Sequence, residues 1–178
     1  EMCKETDCTS LTSVSIGTSI SSIGSQAFAE CSSLSQFTIP ESVGSIGDKA
    51  FYDCTSLTGI TIPAGVSSIG SNVFTGCSRL ASISAASGNG TYASSDGCLY
   101  NKAMTRLIRC PEGKSGAKIA TSTVTIGAGA FANCKLVTSL TVPDSVNTIE
   151  TDAFSGSSIS TILIPASVTS IGSQSSWS

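Results

Sequence analysis

The sequence predicts a repeat solenoid, a chain wound many times through one short coil of about 23 residues. Three observations predict it. Cys8, Cys31, Cys54 and Cys77 stand at a constant separation of 23, and Cys134 returns in the same phrase. Apolar columns keep register with them: Leu11, Leu34, Leu57 and Leu80; Ile16, Ile39 and Ile62; Ile20, Val43 and Val66; Ile23, Ile46 and Ile69; then Phe28, Phe51 and Phe74, each preceded by Ala or Val. Turn residues recur between the columns, as Gly17, Pro40 and Pro63 and as Gly24, Gly47 and Gly70. The phrase resumes at Ile126, Gly127, Ala130 and Phe131, again at Val146, Ile149, Ala153 and Phe154, and closes on Val168, Ile171 and Gly172. Residues 1–178 therefore read as a single array, with regular repeats at 8–85 and 119–172 and an irregular insert at 86–118.

Each coil divides into three pieces. Residues 57–62 alternate large apolar with small polar side chains, the period of a half-buried strand. Pro63 lacks an amide donor and ends the ladder there. A second extended piece covers residues 66–69 and turns at Gly70, and the Ala-Phe pair is expected in a single helical or 3₁₀ turn that brings the chain back. One coil cannot fold alone: about eight buried apolar side chains at roughly 1.5 to 3 kcal/mol each face roughly 1.5 kcal/mol of ordering entropy for every residue. Stacking at about 4.8 Å pairs the strands and buries each Leu, Ile and Phe against its own copies.

Leu57, Ile60, Ile62, Pro63, Val66, Ile69, Gly70, Val73, Phe74 and Cys77 spell a column pattern that resembles the BspA-like class of leucine-rich repeats, the 23-residue bacterial surface antigen type. The resemblance runs over almost the whole chain. It implies a leucine-rich repeat solenoid: a curved right-handed coil with a concave parallel β-sheet, short convex strands and turns, and little helix. It also implies an extracellular or cell-surface location, on bacteria or protists, and a part in adhesion. Fold alone names no ligand.

The departures are local. Gly88, Asn89 and Gly90 punctuate a loop, after which residues 98–100 and 106–110 read as two strands of an inserted hairpin around residues 101–104. Related insertions, with a phrase like residues 96–102, occur in the resembled family. Glu150 stands where the turn Gly belongs, so a positive φ is not expected to be obligatory in that column. Ser157 replaces the column Cys, and Ile159 takes the Leu place. Trp177 lies near the last Phe position, either as a cap or at a cut through the array, and the opening on Glu1 reads as a mature or excised segment.

Most chemistry is disfavoured. A net charge of −3, with only 12% charged residues and nearly a third Ser and Thr, offers no clustered cations for nucleic acid or anionic lipid. No run approaches the roughly 18 apolar residues that cross a bilayer. With no histidine, Ser-His-Asp and Cys-His arrangements are gone, together with the commonest metal ligand. Glu30, Glu41, Asp48, Asp53, Asp144, Glu150 and Asp152 fall at variable, solvated positions, no phosphate-binding glycine loop is present, and no close Cys-x-x-Cys pair offers a zinc site. No catalytic residue, cofactor or metal is expected. The cysteine column suits small buried reduced thiols. Cys3 with Cys8, and Cys98 with Cys110, are the off-column disulfide candidates; the second pair joins only if the hairpin register brings its side chains together, and a bridge would argue for an extracellular setting.

Two surfaces remain. The outward strand positions, including Thr38, Thr58, Thr61 and Thr141, form a field of hydroxyls that is either a hydrogen-bonding surface for a protein or glycan or an ordinary solvated β-surface. The insert concentrates Lys102, Arg106, Arg109, Lys114 and Lys118 against Asp96 and Glu112, a local charge of +3 (five minus two) beside Tyr92 and Tyr100. It is a candidate contact patch, or a hairpin wearing charges to keep its edges unpaired. Asn89-Gly90-Thr91 is a sequon that a secreting eukaryotic host would glycosylate. The sequence thus points to a non-catalytic extracellular binding or adhesion module. Its alternative is a structural repeat protein whose copies assemble end to end into a fibre or surface layer.

Overall fold

Parallel pairing one turn apart satisfies the main chain of this molecule. The computed structural model describes residues 8–173, which form a β-solenoid of about seven turns with almost no helix. A 3₁₀ turn at Cys8–Ser10 precedes strands β1 (Ser22–Ile23), β2 (Ser45–Ile46), β3 (Gly59–Ile62), β4 (Ser68–Ile69), β5 (Ser82–Ala85), β6 (Tyr92–Ser95) and β7 (Cys98–Asn101). They are followed by β8 (Arg106–Arg109), β9 (Thr125–Ile126), β10 (Ser139–Thr141), β11 (Thr148–Ile149), β12 (Thr161–Leu163) and β13 (Ser170–Ile171). Cys3 and Trp177, and with them the Cys3 bridge and the Trp cap, lie outside the described residues.

The concave row pairs β3 with β5 and β10 with β12, both parallel, placing Ile60 on Ile83 and Leu140 on Ile162. In β3 the alternation holds: Ile60 and Ile62 are buried and Thr61 is exposed. The second row runs β1-β2-β4 below the insert and β9-β11-β13 above it.

The third side of the coil differs from expectation. The Ala-Phe pairs sit in turns flanked by two left-handed residues: Gln26 and Glu30 (φ 59° and 61°), Lys49 and Asp53, Asn72 and Gly76, Gly129 and Asn133, Asp152 and Gly156. A helical turn is ruled out because both flanks reverse the sign of φ, which costs a residue with a side chain about 1–2 kcal/mol. The reversal aims every second amide along the solenoid axis. Gln26, Phe28 and Glu30 donate to the carbonyls of Asp48, Ala50 and Tyr52 in the next coil, at 2.9, 2.9 and 2.7 Å. Lys49, Phe51 and Asp53 repeat this toward Ser71, Val73 and Thr75, and Gly129, Phe131 and Asn133 toward Thr151, Ala153 and Ser155. The columns that look freely variable in sequence therefore carry a strict backbone demand.

The cysteine column has its reason in the same corner. The Cys54 thiol donates to the Phe28 carbonyl and that of Cys77 to the Phe51 carbonyl, both at 3.1 Å, and Cys134 reaches the Cys110 carbonyl at 3.5 Å. A small apolar side chain with one weak donor fits there. Beside it the rings stack: Phe28 on Phe51 at 5.5 Å, Phe51 on Phe74 at 6.0 Å, and Phe131 on Phe154 at 5.6 Å.

The insert interrupts the stack. Strands β6, β7 and β8 form an antiparallel meander, and β8 rejoins the array by parallel pairing with β9 through Arg106–Thr125 and Leu107–Ile126. The expected hairpin strands are β7 and β8, with β6 added; the Tyr-Ala-Ser-Ser of β6 shows no alternation because all four residues are half-buried. Strand β7 is a wall between two cores. Leu99 belongs to the core that ends with Leu80 and Ile83, while Cys98 and Tyr100 belong to the one that begins with Leu107 and Cys110.

The turn glycines need no positive φ, since neither Gly47, Gly70, Gly127 nor Gly172 adopts one. They are required by close approach. A Cβ on Gly47 would lie 2.5 Å from the Ser25 nitrogen, and one on Gly70 2.6 Å from the Asp48 nitrogen, whereas Gly24 has nothing within 4 Å. Gly47→Ala is expected to lower the urea unfolding free energy by about 1–3 kcal/mol, by forcing two coils apart. Gly24→Ala, in the same column, should change it by no more than about 0.5 kcal/mol.

Candidate functional site

The concave surface starts from strand pleating. Thr38, Thr58, Thr61 and Thr141 are all exposed. In register, Thr61 lies beside Ser84 and Thr141 beside Leu163. Many hydroxyls elsewhere are already engaged: Ser42 donates to the Ile20 carbonyl and Ser145 to that of Thr123, both at 2.7 Å, and Ser167 to that of Val146 at 2.8 Å. Ser67 ties to Gly44 and Thr58 to Ser35 in the same way, at 3.3 and 3.4 Å. The Ser and Thr richness therefore has a structural part, a hydroxyl reaching back one coil. Thr38, Thr61 and Thr141 are different. Their hydroxyls have no hydrogen-bond partner among the described residues, and those of Thr61 and Thr141 stand on paired strands.

The insert is not the open basic patch its composition suggests. Arg106 forms a bidentate pair with Glu150, and Arg109 donates to Glu112 at 2.7 Å and to the Gly129 carbonyl at 2.8 Å. Lys114 pairs with Asp96 at 3.2 Å. Lys102 and Lys118 stay exposed, and Lys102 reaches the Ser87 carbonyl at 3.5 Å. Tyr100 is fully buried, its hydroxyl accepting the Ala120 amide at 3.1 Å, so it packs the core and cannot touch a partner. Tyr92 is half-buried, and its hydroxyl accepts the Ile69 amide at 3.1 Å. Of the seven insert residues expected to form a contact surface, only Lys102 and Lys118 are exposed and without an ion pair among the described residues.

Asn89 also corrects its expectation. Its side chain is fully buried, donating to the carbonyls of Pro63 and Val66 at 2.7 and 2.9 Å and accepting the amides of Thr91 and Tyr92. A glycan on that nitrogen would displace two hydrogen bonds and a packed turn. Asn89 occupies the column of Val66, one coil later, and closes the turn in place of a hydrophobe.

Cys98 and Cys110 do meet. The pairing of Leu99 with Arg109 puts them opposite each other across β7 and β8, and both are buried free thiols in the structure. Hydrogen bonding with Cys134 and Cys98, and burial, push the Cys110 pKa well above an ordinary thiol's. Cys54 is raised likewise, first by its hydrogen bond with Cys77 and then by burial. Protonated, enclosed thiols are poor nucleophiles. Iodoacetamide is expected to leave Cys54 and Cys110 unlabelled in the native protein and to label both in urea, as read by peptide mass; native labelling at either would contradict the enclosed column.

Sequence reading missed the carboxylates that complete this region. Glu112 receives the Gly76 amide at 3.0 Å together with Arg109, so one buried ion pair spans the coil below and the coil above the insert. Glu150 accepts the Ala128 amide at 2.9 Å as well as Arg106. Its place in a glycine column was the available signal. The Arg106 guanidinium, helped by the Ala128 amide, holds the Glu150 carboxyl below the usual carboxylate range. A depressed folded pKa adds stability above the unfolded value of about 4.3, and this is lost as pH falls through the folded value. Glu150→Gln should accordingly lower the melting temperature at pH 7 by the equivalent of less than about 1 kcal/mol, because the pair is partly solvated. The difference should vanish in acid, where the wild-type carboxyl is itself protonated.

Among the described residues no group of three His, Cys, Asp or Glu is placed to hold a metal ion, and no helix is long and apolar enough to cross a membrane. The chain belongs to the BspA type leucine rich repeat region family, whose model matches residues 5–115 and 109–176 in six copies. That repeat family is generally non-catalytic and is associated with bacterial surface proteins. No curated protein matches the chain in sequence. Among solved structures it is similar to a leucine rich cell surface protein from Faecalibacterium prausnitzii, with a TM-score of 0.75, 34% identity, and coverage of 88% of this chain and 42% of that one. It is similar also to a leucine-rich repeat protein from Eubacterium ventriosum, with a TM-score of 0.75, 28% identity and coverage of 90% and 50%. The pneumococcal vaccine antigen PcpA gives a TM-score of 0.73 at 28% identity, with coverage of 85% and 38%. The chain spans half or less of the length of these three structures.

Proposed function

We propose that this chain is a non-catalytic adhesion or recognition module displayed at a bacterial cell surface, and that its concave sheet meets a protein or glycan ligand. The observation that carries this reading is the pair of hydroxyls at Thr61 and Thr141, exposed and without partners among the described residues on strands β3 and β10, with Thr38 exposed in the same column one coil before Thr61. Such groups are held in place by the ladder, so a ligand meets hydrogen-bonding partners whose ordering entropy has already been lost on folding. The relatives support the location: a structure at 34% identity is named a cell surface protein, and the family is surface-associated. Leucine-rich repeat proteins generally bind proteins, which favours a protein over a glycan ligand.

A second reading, copies assembling end to end, draws on the coil ends. The first described coil leaves an apolar recess of about 360 Å³ lined by Leu11, Val14, Ile16, Ile20 and Phe28, and Ile171 is 51% exposed on the last. Sedimentation equilibrium decides that question, since a monomer throughout the micromolar range removes it.

For the first reading, the purified chain is screened against panels of secreted proteins and oligosaccharides. Joint replacement of Thr38, Thr61 and Thr141 by Lys leaves folding intact, because all three point outward, and is expected to weaken the ligand found by at least about tenfold, or roughly 1.4 kcal/mol. Unchanged affinity would move the contact off this sheet.

A further inference from the structure

We propose that the break in the corner ladder at the insert is a binding site for an extended segment of a partner polypeptide, one carrying apolar and basic side chains. In the coils of Phe28, Phe51 and Phe131 three amides, two residues apart, donate to three carbonyls of the coil above. In the coil of Phe74 the insert takes that coil's place. The Gly76 amide finds the Glu112 carboxylate instead, but the amides of Asn72 and Phe74 have no acceptor among the described residues. Both residues line a groove of about 550 Å³ with Leu99, Ile108, Ala132 and Asp152. The buried surroundings of Phe74, which is 5% exposed, make an unmet donor expensive there, by about 1–3 kcal/mol.

The chemistry of the groove narrows the occupant. Two donors without acceptors call for a pair of acceptors, and the spacing is the one that main-chain carbonyls two residues apart fill in every regular coil. Arg109 also lines the groove, but it is already neutralised by Glu112, so no free cation attracts an anion. Asp152, on the opposite wall, has no ion pair among the described residues and favours Lys or Arg. Ile108, half-buried on the groove wall over the buried Leu99, offers contact to an apolar side chain. This is strand addition in kind, with main-chain hydrogen bonds giving affinity and flanking side chains giving selectivity. The groove lies on the corner side of the coil and is independent of the concave sheet.

Random linear peptides displayed on phage, selected against the immobilised chain, supply the probe. Selected peptides are expected to combine an apolar residue with Lys or Arg, to shift the Asn72 and Phe74 amide resonances of the ¹⁵N-labelled chain downfield, and to slow their exchange with solvent. Ala132→Trp fills the groove and Asp152→Asn removes its charge; each should weaken the peptide by roughly tenfold. The second variant keeps a side chain that tolerates the left-handed backbone, so it stands if the first fails to fold. Peptides that leave both amides unmoved, or that ignore both variants, would overturn the proposal, as would a panel oligosaccharide that moves these amides where no peptide does. Thr38, Thr61 and Thr141 replaced by Lys should leave peptide affinity unchanged, which separates this site from the concave one.

Discussion

Everything in this chain depends on the axial hydrogen bonds that one coil makes to the next, one turn on along the chain. Concave strands, convex strands and corners all pair with the next coil, 22 or 23 residues on in the regular array, and the corner is the most demanding of the three. Its left-handed pairs, at Gln26 and Glu30 or Lys49 and Asp53, carry strain that an isolated turn would relieve by unwinding. They persist because each supplies an amide to a waiting carbonyl. The cysteine thiol of the next coil then adds a second donor to the Phe carbonyl, which already accepts an amide from its own coil. Side-chain packing and backbone pairing thus fix one another, and neither could hold a single coil.

The regular part of this arrangement was largely legible in the sequence because it is written many times. Leucine, isoleucine and phenylalanine columns report burial directly, and Gly47 and Gly70 report contact between coils. What sequence could not report is a demand met equally by unlike residues. Gln26, Lys49, Asn72, Gly129 and Asp152 share one conformation but no side-chain chemistry, so the corner looks variable in sequence and suggests only a single helical or 3₁₀ turn. The hydroxyl field was legible as a surface, but its division into engaged and free groups was not, since Ser67 and Thr61 differ only in what lies behind them.

The insert shows the reverse case. It occurs once, and its charges looked like an interface because composition counts ions without their partners. Arg106 found the Glu150 carboxylate from a later coil, Arg109 and Lys114 found Glu112 and Asp96 within the insert, and Tyr100 went inside. These residues repair a discontinuity: Glu112 and Arg109 stand in for the main-chain groups that a regular coil would have offered to Gly76 and Gly129. The repair is incomplete at Asn72 and Phe74, and that incompleteness separates the insert from ordinary structural filling.

The wall formed by β7 has a consequence for how such an array can change over evolutionary time. In a solenoid, a coil touches only its neighbours, so a duplicated or deleted coil inside a regular stretch meets surfaces it already fits. Across β7 that interchangeability stops. Leu99 faces one core and Tyr100 the other, and Arg106, Arg109 and Glu112 hold partners that no other coil possesses. Length can therefore drift freely on either side of the meander while the junction itself stays fixed, which makes it a landmark from which positions along the array can be counted.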